Sequence, residues 1–268
     1  MGDNLEYDRN AEFELGVETV AERPGVTIAE CRFDNVEGDP VRGYLVRPTR
    51  KASAGVVFQH TTSGREAFLP EAIQLAEAGA SSICLPFVAL GDPRAMIRQS
   101  IFAIRRGTDI LRREVERVAL VGHSGASMAA ATVSGLDHRY VCFVFEVGLS
   151  GMSFHYRDSQ HPSIRAIRES TPPEVFQAGL DALKPYDSVR FVGQARGPKL
   201  FQFARFDIGV TEAESQAFYA AASEPKQQRW YDTGHVVNDP AAFADRARFL
   251  AEHLDLPDLP KILLNRVS

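Results

Sequence analysis

The chain has 268 residues, enough for one large domain or two small ones with a sizeable core. Hydrophobic residues make up 44% and charged residues 24%, the balance of a soluble globular protein rather than a disordered or fibrous one. A net charge of −5, with the arginines scattered, argues against a polyanionic partner such as nucleic acid.

The opening stretch, "MGDNLEYDRNAEFEL", is acidic and has no apolar centre, so it does not read as a secretory signal; Gly2 is followed by Glu6 where a myristoylation signal places Ser or Thr. Two strands, "GVTIAECRF" and "VRGYLVRP", flank Glu37-Gly38-Asp39-Pro40, the turn chemistry of an antiparallel hairpin. "AGVVFQH" is a continuous apolar strand ending at His60. "FLPEAIQLAEAGA" has apolar residues at helical spacing and a glycine stop, and "SSICLPF" is a further short strand. Asp92 and Pro93 open an amphipathic helix predicted over 94–115. A strand over 117–121, a helix over 125–134 and the strand "YVCFVFEVG" follow. Near the C-terminus come "KLFQFAR" (strand), "EAESQAFYAAA" (helix), "KQQRWYD" (strand) and "AAFADRARFLAEHL" (helix). This alternation predicts an α/β fold: one domain over 1–268 with a mostly parallel, doubly wound sheet covered on both faces.

Residues 153–196 break the rhythm with Pro162, Pro172, Pro173 and Pro185, two short helical patterns, and polar and aromatic residues. They read as an insertion between two strands, a small helical cap or lid over one end of the sheet, with a purely structural detour as the alternative. Phe87, Phe154, Tyr156, Phe176 and Phe191 suit an apolar pocket, though aromatic rings equally fill cores. The tail over 255–268 carries leucines and an isoleucine suited to dock on the domain or on a second subunit, the single hint of a homodimer. Cys31, Cys84 and Cys142 each fall in a strand-like stretch and cannot pair completely, as expected of buried reduced thiols. The longest apolar run, Val141 to Phe145, is too short to span a bilayer. A cytoplasmic soluble protein without a membrane partner is the expectation, and no cofactor is expected.

In "VERVALVGHSGASMAAATVSGL" an unbroken apolar run, Val118 to Val121, gives way to Gly122-His123-Ser124-Gly125-Ala126 and then to a helix of small residues. A serine at the tip of a sharp strand-to-helix turn needs small neighbours, because the turn presses them against strand and helix. The pattern Gly-x-Ser-x-Gly is met here except that Ala126 stands at the last glycine. A serine hydroxyl is a weak nucleophile near neutral pH and needs a base, itself oriented by an acid. Phe206-Asp207-Ile208-Gly209-Val210 places a carboxylate after one strand, and Thr233-Gly234-His235 places an imidazole after the next. Both fall past the C-terminal ends of successive strands, where parallel sheets place their sites. An oxyanion hole would take the N–H of Gly125 and one from "QHTTSGRE", Thr61 or Thr62. Glu146, at the end of "VCFVFE", is the alternative acid. Asp232 is expected to orient a loop, His123 and His60 to pack behind the turn, and His155 and His161 to belong to the cap; no ligand spacing supports a metal.

"VVFQHTTSGREAFLPEAIQLAEAGA", "VALVGHSGAS", "LFQFARFDIGV" and "WYDTGHVV" together resemble the α/β-hydrolase superfamily, and within it the dienelactone-hydrolase-like and prolyl-peptidase-like esterases. The resemblance covers about residues 40–255, with its four blocks in the family order. It implies an α/β-hydrolase sheet with an N-terminal antiparallel hairpin, Ser124 as nucleophile, Asp207 as acid and His235 as base. Two departures stand out: Thr61 replaces the glycine of the family's His-Gly after the third strand, and dienelactone hydrolases proper use a cysteine where this chain has Ser124. The function this implies is cleavage of a small-molecule carboxylic ester or thioester through an acyl-enzyme. The alternatives are amide cleavage, acyl transfer, cyclisation or C–C bond hydrolysis on the same residues, and a non-catalytic small-molecule binder.

Overall fold

A computed structural model describes residues 5–61, 63–87 and 91–264. Among them the strands form one sheet in the order β1-β2-β3-β5-β4-β6-β7-β8-β9. The strands are β1 (Gly16–Arg23), β2 (Val26–Asp34), β3 (Pro40–Pro48), β4 (Ala54–His60), β5 (Ala80–Pro86), β6 (Val118–His123), β7 (Tyr140–Glu146), β8 (Lys199–Ala204) and β9 (Lys226–Tyr231). The first three run antiparallel and β3 joins β5 antiparallel; from β5 to β9 every pairing is parallel.

The helices are α1 (Leu69–Ala78), α2 (Pro93–Leu111), α3 (Gly125–Leu136), α4 (Met152–Asp158), α5 (Pro162–Ser170), α6 (Pro173–Leu183), α7 (Glu212–Ala221), α8 (Pro240–Leu254) and α9 (Leu259–Leu264). Successive strand residues point to opposite faces, so a strand covered on both sides reads as an unbroken apolar run. Val57, Leu120, Phe143 and Phe145 pack on the face covered by α2 and α3. Val56, Phe58, Ala119, Val121 and Val144 pack on the face covered by α1 and α8. The fold is therefore the predicted α/β sandwich of helices around a mostly parallel sheet.

The differences have physical reasons. Strand β1 was not legible because each of its residues is exposed; it is held by main-chain pairing with β2 and a surface ion pair between Glu18 and Arg32, and no alternation marks it. Helix α2 stops at Leu111, four residues before the predicted end. Asp92 caps its start, its carboxylate accepting from the Arg94 N–H at 3.1 Å, with Pro93 at the first helical position. The segment between β7 and β8 folds into α4, α5 and α6 and then three short 3₁₀ turns ending at Gln194, where the sequence suggested two helices. The described part of the C-terminal tail docks within its own chain: Leu256 and Leu259 are buried in the core face under α1 and α8. All three cysteines are free and buried. No helix among the described residues is long and apolar enough to cross a membrane.

Candidate active site

Strand β6 ends at His123 and α3 begins at Gly125, which leaves Ser124 alone to make the turn, at φ 62° and ψ −125°. A non-glycine residue at positive φ is held there only by its surroundings. Gly122 is one such constraint: a Cβ on it would lie 2.7 Å from the Ala126 carbonyl oxygen and from Ser127 Cα. Thr61 is another, its hydroxyl donating to the His123 carbonyl at 2.9 Å and accepting from the Ala126 N–H at 2.8 Å. That hydroxyl ties the loop after β4 to the turn. The Ser124 N–H donates to the Glu146 carbonyl at 2.9 Å, which anchors the turn to β7. As the first residue of α3, Gly125 has an N–H with no helical carbonyl to bond, at the positive end of the helix. Thr62 lies outside the described residues. Phe87 is buried beside Gly125.

The three residues singled out from sequence meet at this turn. His235 Nδ1–H donates to Asp207 Oδ2 at 2.7 Å, and the Ser124 hydroxyl donates to His235 Nε2 at 2.8 Å. The carboxylate acceptor dictates the tautomer, because it requires the proton on Nδ1 and leaves the Nε2 lone pair facing the serine. Asp207 is itself fixed: its Oδ1 accepts from the Gly209 and Val210 N–H groups at 2.7 and 3.0 Å, and its side chain is 2% exposed. His235 keeps 31% of its side chain in solvent, so the site is open to a ligand.

Glu146 is placed elsewhere. It is buried at the end of β7 in an ion pair with Arg246 of α8, whose guanidinium also holds Glu71 through Nε at 2.7 Å and Nη2 at 2.5 Å and the Gln202 Oε1 at 2.7 Å. Asp232 pairs with Arg205 at the surface, at 3.0 Å. His60 and His123 stack face to face with ring centroids 3.9 Å apart. Burial first, then the neighbouring His235, lowers the His60 pKa to about 4. His123 lies well below the usual imidazole range, through burial and then His60. His123 Nε2 stands 2.8 Å from the His235 carbonyl oxygen and must carry a proton there, while the Ser63 N–H donates to His60 Nδ1 at 3.2 Å. Two neutral rings thus back the turn.

On α4, His155 is pushed down to about 4 by burial and next by His235. Glu214, at the start of α7, is pushed up to about 8, mainly by burial, and accepts from the Ser150 N–H at 3.2 Å. Sequence reading passed over Glu214 and Arg246. For Glu214 a signal existed, since Thr211-Glu212-Ala213-Glu214 spells a capping box; the Thr211 hydroxyl does accept from the Glu214 N–H, at 3.2 Å, but the carboxylate turns to Ser150 instead. For Arg246 none existed, because its partner Glu71 lies 175 residues away.

Comparison with solved structures places the fold. The chain is similar to an acetyl xylan esterase from Paenibacillus sp. R4, with a TM-score of 0.77 and 20% identity over 91% of this chain and 90% of that one. It is similar also to acetyl xylan esterase 1 from Thermoanaerobacterium sp. JW/SL YS485, with a TM-score of 0.75 and 15% identity over 94% of this chain and 90% of the other. A cold-adapted esterase from an Arctic intertidal metagenomic library matches with a TM-score of 0.65 and 16% identity over 87% and 96%. The chain has the α/β-hydrolase fold. No protein-family model matches it, and no curated protein does.

Proposed function

We propose that this chain is a serine hydrolase of carboxylic esters. The reading is carried by the continuous hydrogen-bond line from Asp207 through His235 to Ser124, 2.7 and 2.8 Å in its two steps, at the mouth of the parallel strands. The esterases that share the fold support it, and the two named acetyl xylan esterases make an ester of a small acyl group the substrate class of choice.

In this reading Ser124 Oγ attacks the ester carbonyl carbon as its proton passes to His235 Nε2. The Gly125 N–H, with a second donor from Thr61 or Thr62, holds the negative oxygen that forms. The carbon–oxygen bond to the alcohol then breaks, and the alcohol leaves with the proton from Nε2. Water, deprotonated by the same nitrogen, attacks the acyl-enzyme and frees Ser124. Asp207 keeps the proton on Nδ1 throughout and stabilises the imidazolium. The helices within 153–196 serve as the cap. Free, buried thiols support a reducing, cytoplasmic setting.

The test is turnover of p-nitrophenyl acetate and butyrate by the native chain and by Ser124→Ala. A loss of about 10⁴-fold is expected in the variant, together with loss of labelling by a fluorophosphonate probe. Equal rates in both proteins would remove the reading.

A further inference from the structure

Ser124 stands at the N-cap position of α3, and serine is among the residues that fill such a position best. In extended backbone its hydroxyl would accept from the N–H two or three residues further on. Here it makes no such bond. At φ 62° and ψ −125° the hydroxyl donates to His235 Nε2 at 2.8 Å. A serine that capped its own helix would have its oxygen engaged by the backbone and its proton aimed away from the imidazole. Yet α3 starts in the interior, with His123, Ser124, Gly125 and Ala126 all buried, and its first N–H groups need acceptors.

Thr61, at the end of β4, supplies one from another segment. Its hydroxyl has a single proton, which goes to the His123 carbonyl at 2.9 Å because a carbonyl only accepts. The oxygen then receives the Ala126 N–H at 2.8 Å, the very group an N-cap serine would have taken. The two bonds thus reach across Ser124, one to the residue before it and one to the second residue after it. The Ser124 N–H is itself tied to the Glu146 carbonyl at 2.9 Å. With the N–H groups on both sides of Gly125 held, the direction of the Gly125 N–H is set as well. Thr61 also packs on that glycine: a Cβ there would lie 3.3 Å from the Thr61 hydroxyl oxygen and 3.6 Å from its methyl carbon. A glycine at position 61 would offer neither the hydroxyl nor this contact.

We infer that Thr61 is a positioning residue that caps α3 in place of Ser124 and so keeps the serine hydroxyl for His235. Two arrangements of the turn compete. In one, Ser124 holds its strained backbone and faces the imidazole while Thr61 caps the helix. In the other, Ser124 relaxes to negative φ and caps α3 itself, out of line with His235. The two Thr61 bonds favour the first. Without that hydroxyl the Ala126 N–H and the His123 carbonyl lose a partner in a buried place, and relaxation of Ser124 restores one of them. This role rests on the ester-hydrolase reading for its effect on turnover, and on the geometry of the turn alone for the cap.

Thr61→Val keeps the branched shape and removes the hydroxyl, Thr61→Ser keeps the hydroxyl, and both leave the main chain at position 61 intact. On p-nitrophenyl acetate, Thr61→Val is expected to lower kcat by about tenfold or more with KM within about threefold of the native value. Fluorophosphonate labelling of Ser124 should slow by the same factor as kcat, and Thr61→Ser should stay within about threefold of the native chain in both. The thermal midpoint reads the cap without any turnover. Ser124→Ala removes a cap only where Thr61 no longer supplies one, so it should lower the midpoint by about 2 °C or more further in the Thr61→Val background than in the native one. A native kcat in Thr61→Val, a Thr61→Ser variant as slow as Thr61→Val, or an equal Ser124→Ala step in both backgrounds would overturn the inference. Equal ester turnover by the native chain and Ser124→Ala would remove the hydrolase reading, and the thermal comparison would still decide the cap.

Discussion

Ser124 occupies a backbone conformation that costs about 1–3 kcal/mol, and the surrounding residues hold it there. His123 has the most consequential part. Its Nε2–H donates to the carbonyl of His235, 112 residues away, and so sets where the imidazole that faces Ser124 sits. Because that carbonyl can only accept, the His123 proton sits on Nε2; burial keeps the ring neutral, and its bare Nδ1 has no partner among the described residues. Replacing His123 by Phe keeps a flat ring against His60 and removes only the donor. We expect kcat to fall about tenfold to a hundredfold with KM little changed, as when a reacting group is misplaced by a fraction of an ångström. Steady-state kinetics on a p-nitrophenyl ester measures it; a native kcat would mean the bond positions nothing. The residue pattern around the turn was readable from sequence because its demands are local. The His123–His235 bond was not, since nothing in either segment names the other.

At the scale of elements, one side chain fastens four of them. Arg246 of α8 reaches Glu71 on α1, Glu146 on β7 and Gln202 on β8, and it is 1% exposed. A guanidinium fits this role because its planar fork pairs carboxylates in a fixed geometry. Breaking such a buried pair leaves a carboxylate without compensation, which costs about 3–5 kcal/mol, whereas removing both partners together is far less costly. Arg246→Leu should therefore lower stability by about 3 kcal/mol or more, and Arg246→Leu with Glu146→Leu should recover a large part of that loss. Urea unfolding of the two variants decides it; a double variant no better than the single would refute the argument. This network also explains why Glu146, sited at the same strand edge as the serine, does not meet His235: its charge is already engaged. Helical periodicity showed α1, α2, α3, α7 and α8 in the sequence, and strand β1 stayed hidden because it buries no side chain.

For the molecule as a whole, buried titratable groups shape stability against pH. His60 and His155 are held at about 4 by burial, and His123 lies well below its usual range for the same reason. The unfolded chain binds protons on these rings around pH 6.5 while the folded chain refuses them, so stability falls as pH drops below about 6.5. Glu214 acts in the opposite direction. Buried, it keeps its proton up to about 8, whereas the unfolded chain releases it near 4.5. Its contribution therefore declines as pH rises from about 4.5 to 8, by about 1.4 kcal/mol per unit at most. Three rings outweigh the Glu214 carboxyl below pH 6.5, and above it the rings no longer titrate while that carboxyl still does. The thermal midpoint should accordingly peak between about pH 6 and 7. Glu214→Gln should remove the alkaline decline, so that its advantage over the native chain widens from pH 5 to pH 8. A constant difference across that range, read by thermal scans, would show that Glu214 does not titrate as described.

The sequence by itself determined the alternation of strands and helices, the sharp turn at Ser124, and the order in which serine, carboxylate and imidazole follow one another. Those features depend on neighbours within a few positions, where periodicity, small residues and turn chemistry act. Only the tertiary structure decided that Asp207 rather than Glu146 meets His235, that the proline-rich segment makes three helices with a hollow between them, and that the C-terminal leucines dock on their own chain. Each of these depends on strand register and on which distant side chains compete for the same partner, and no local pattern encodes the outcome of that competition.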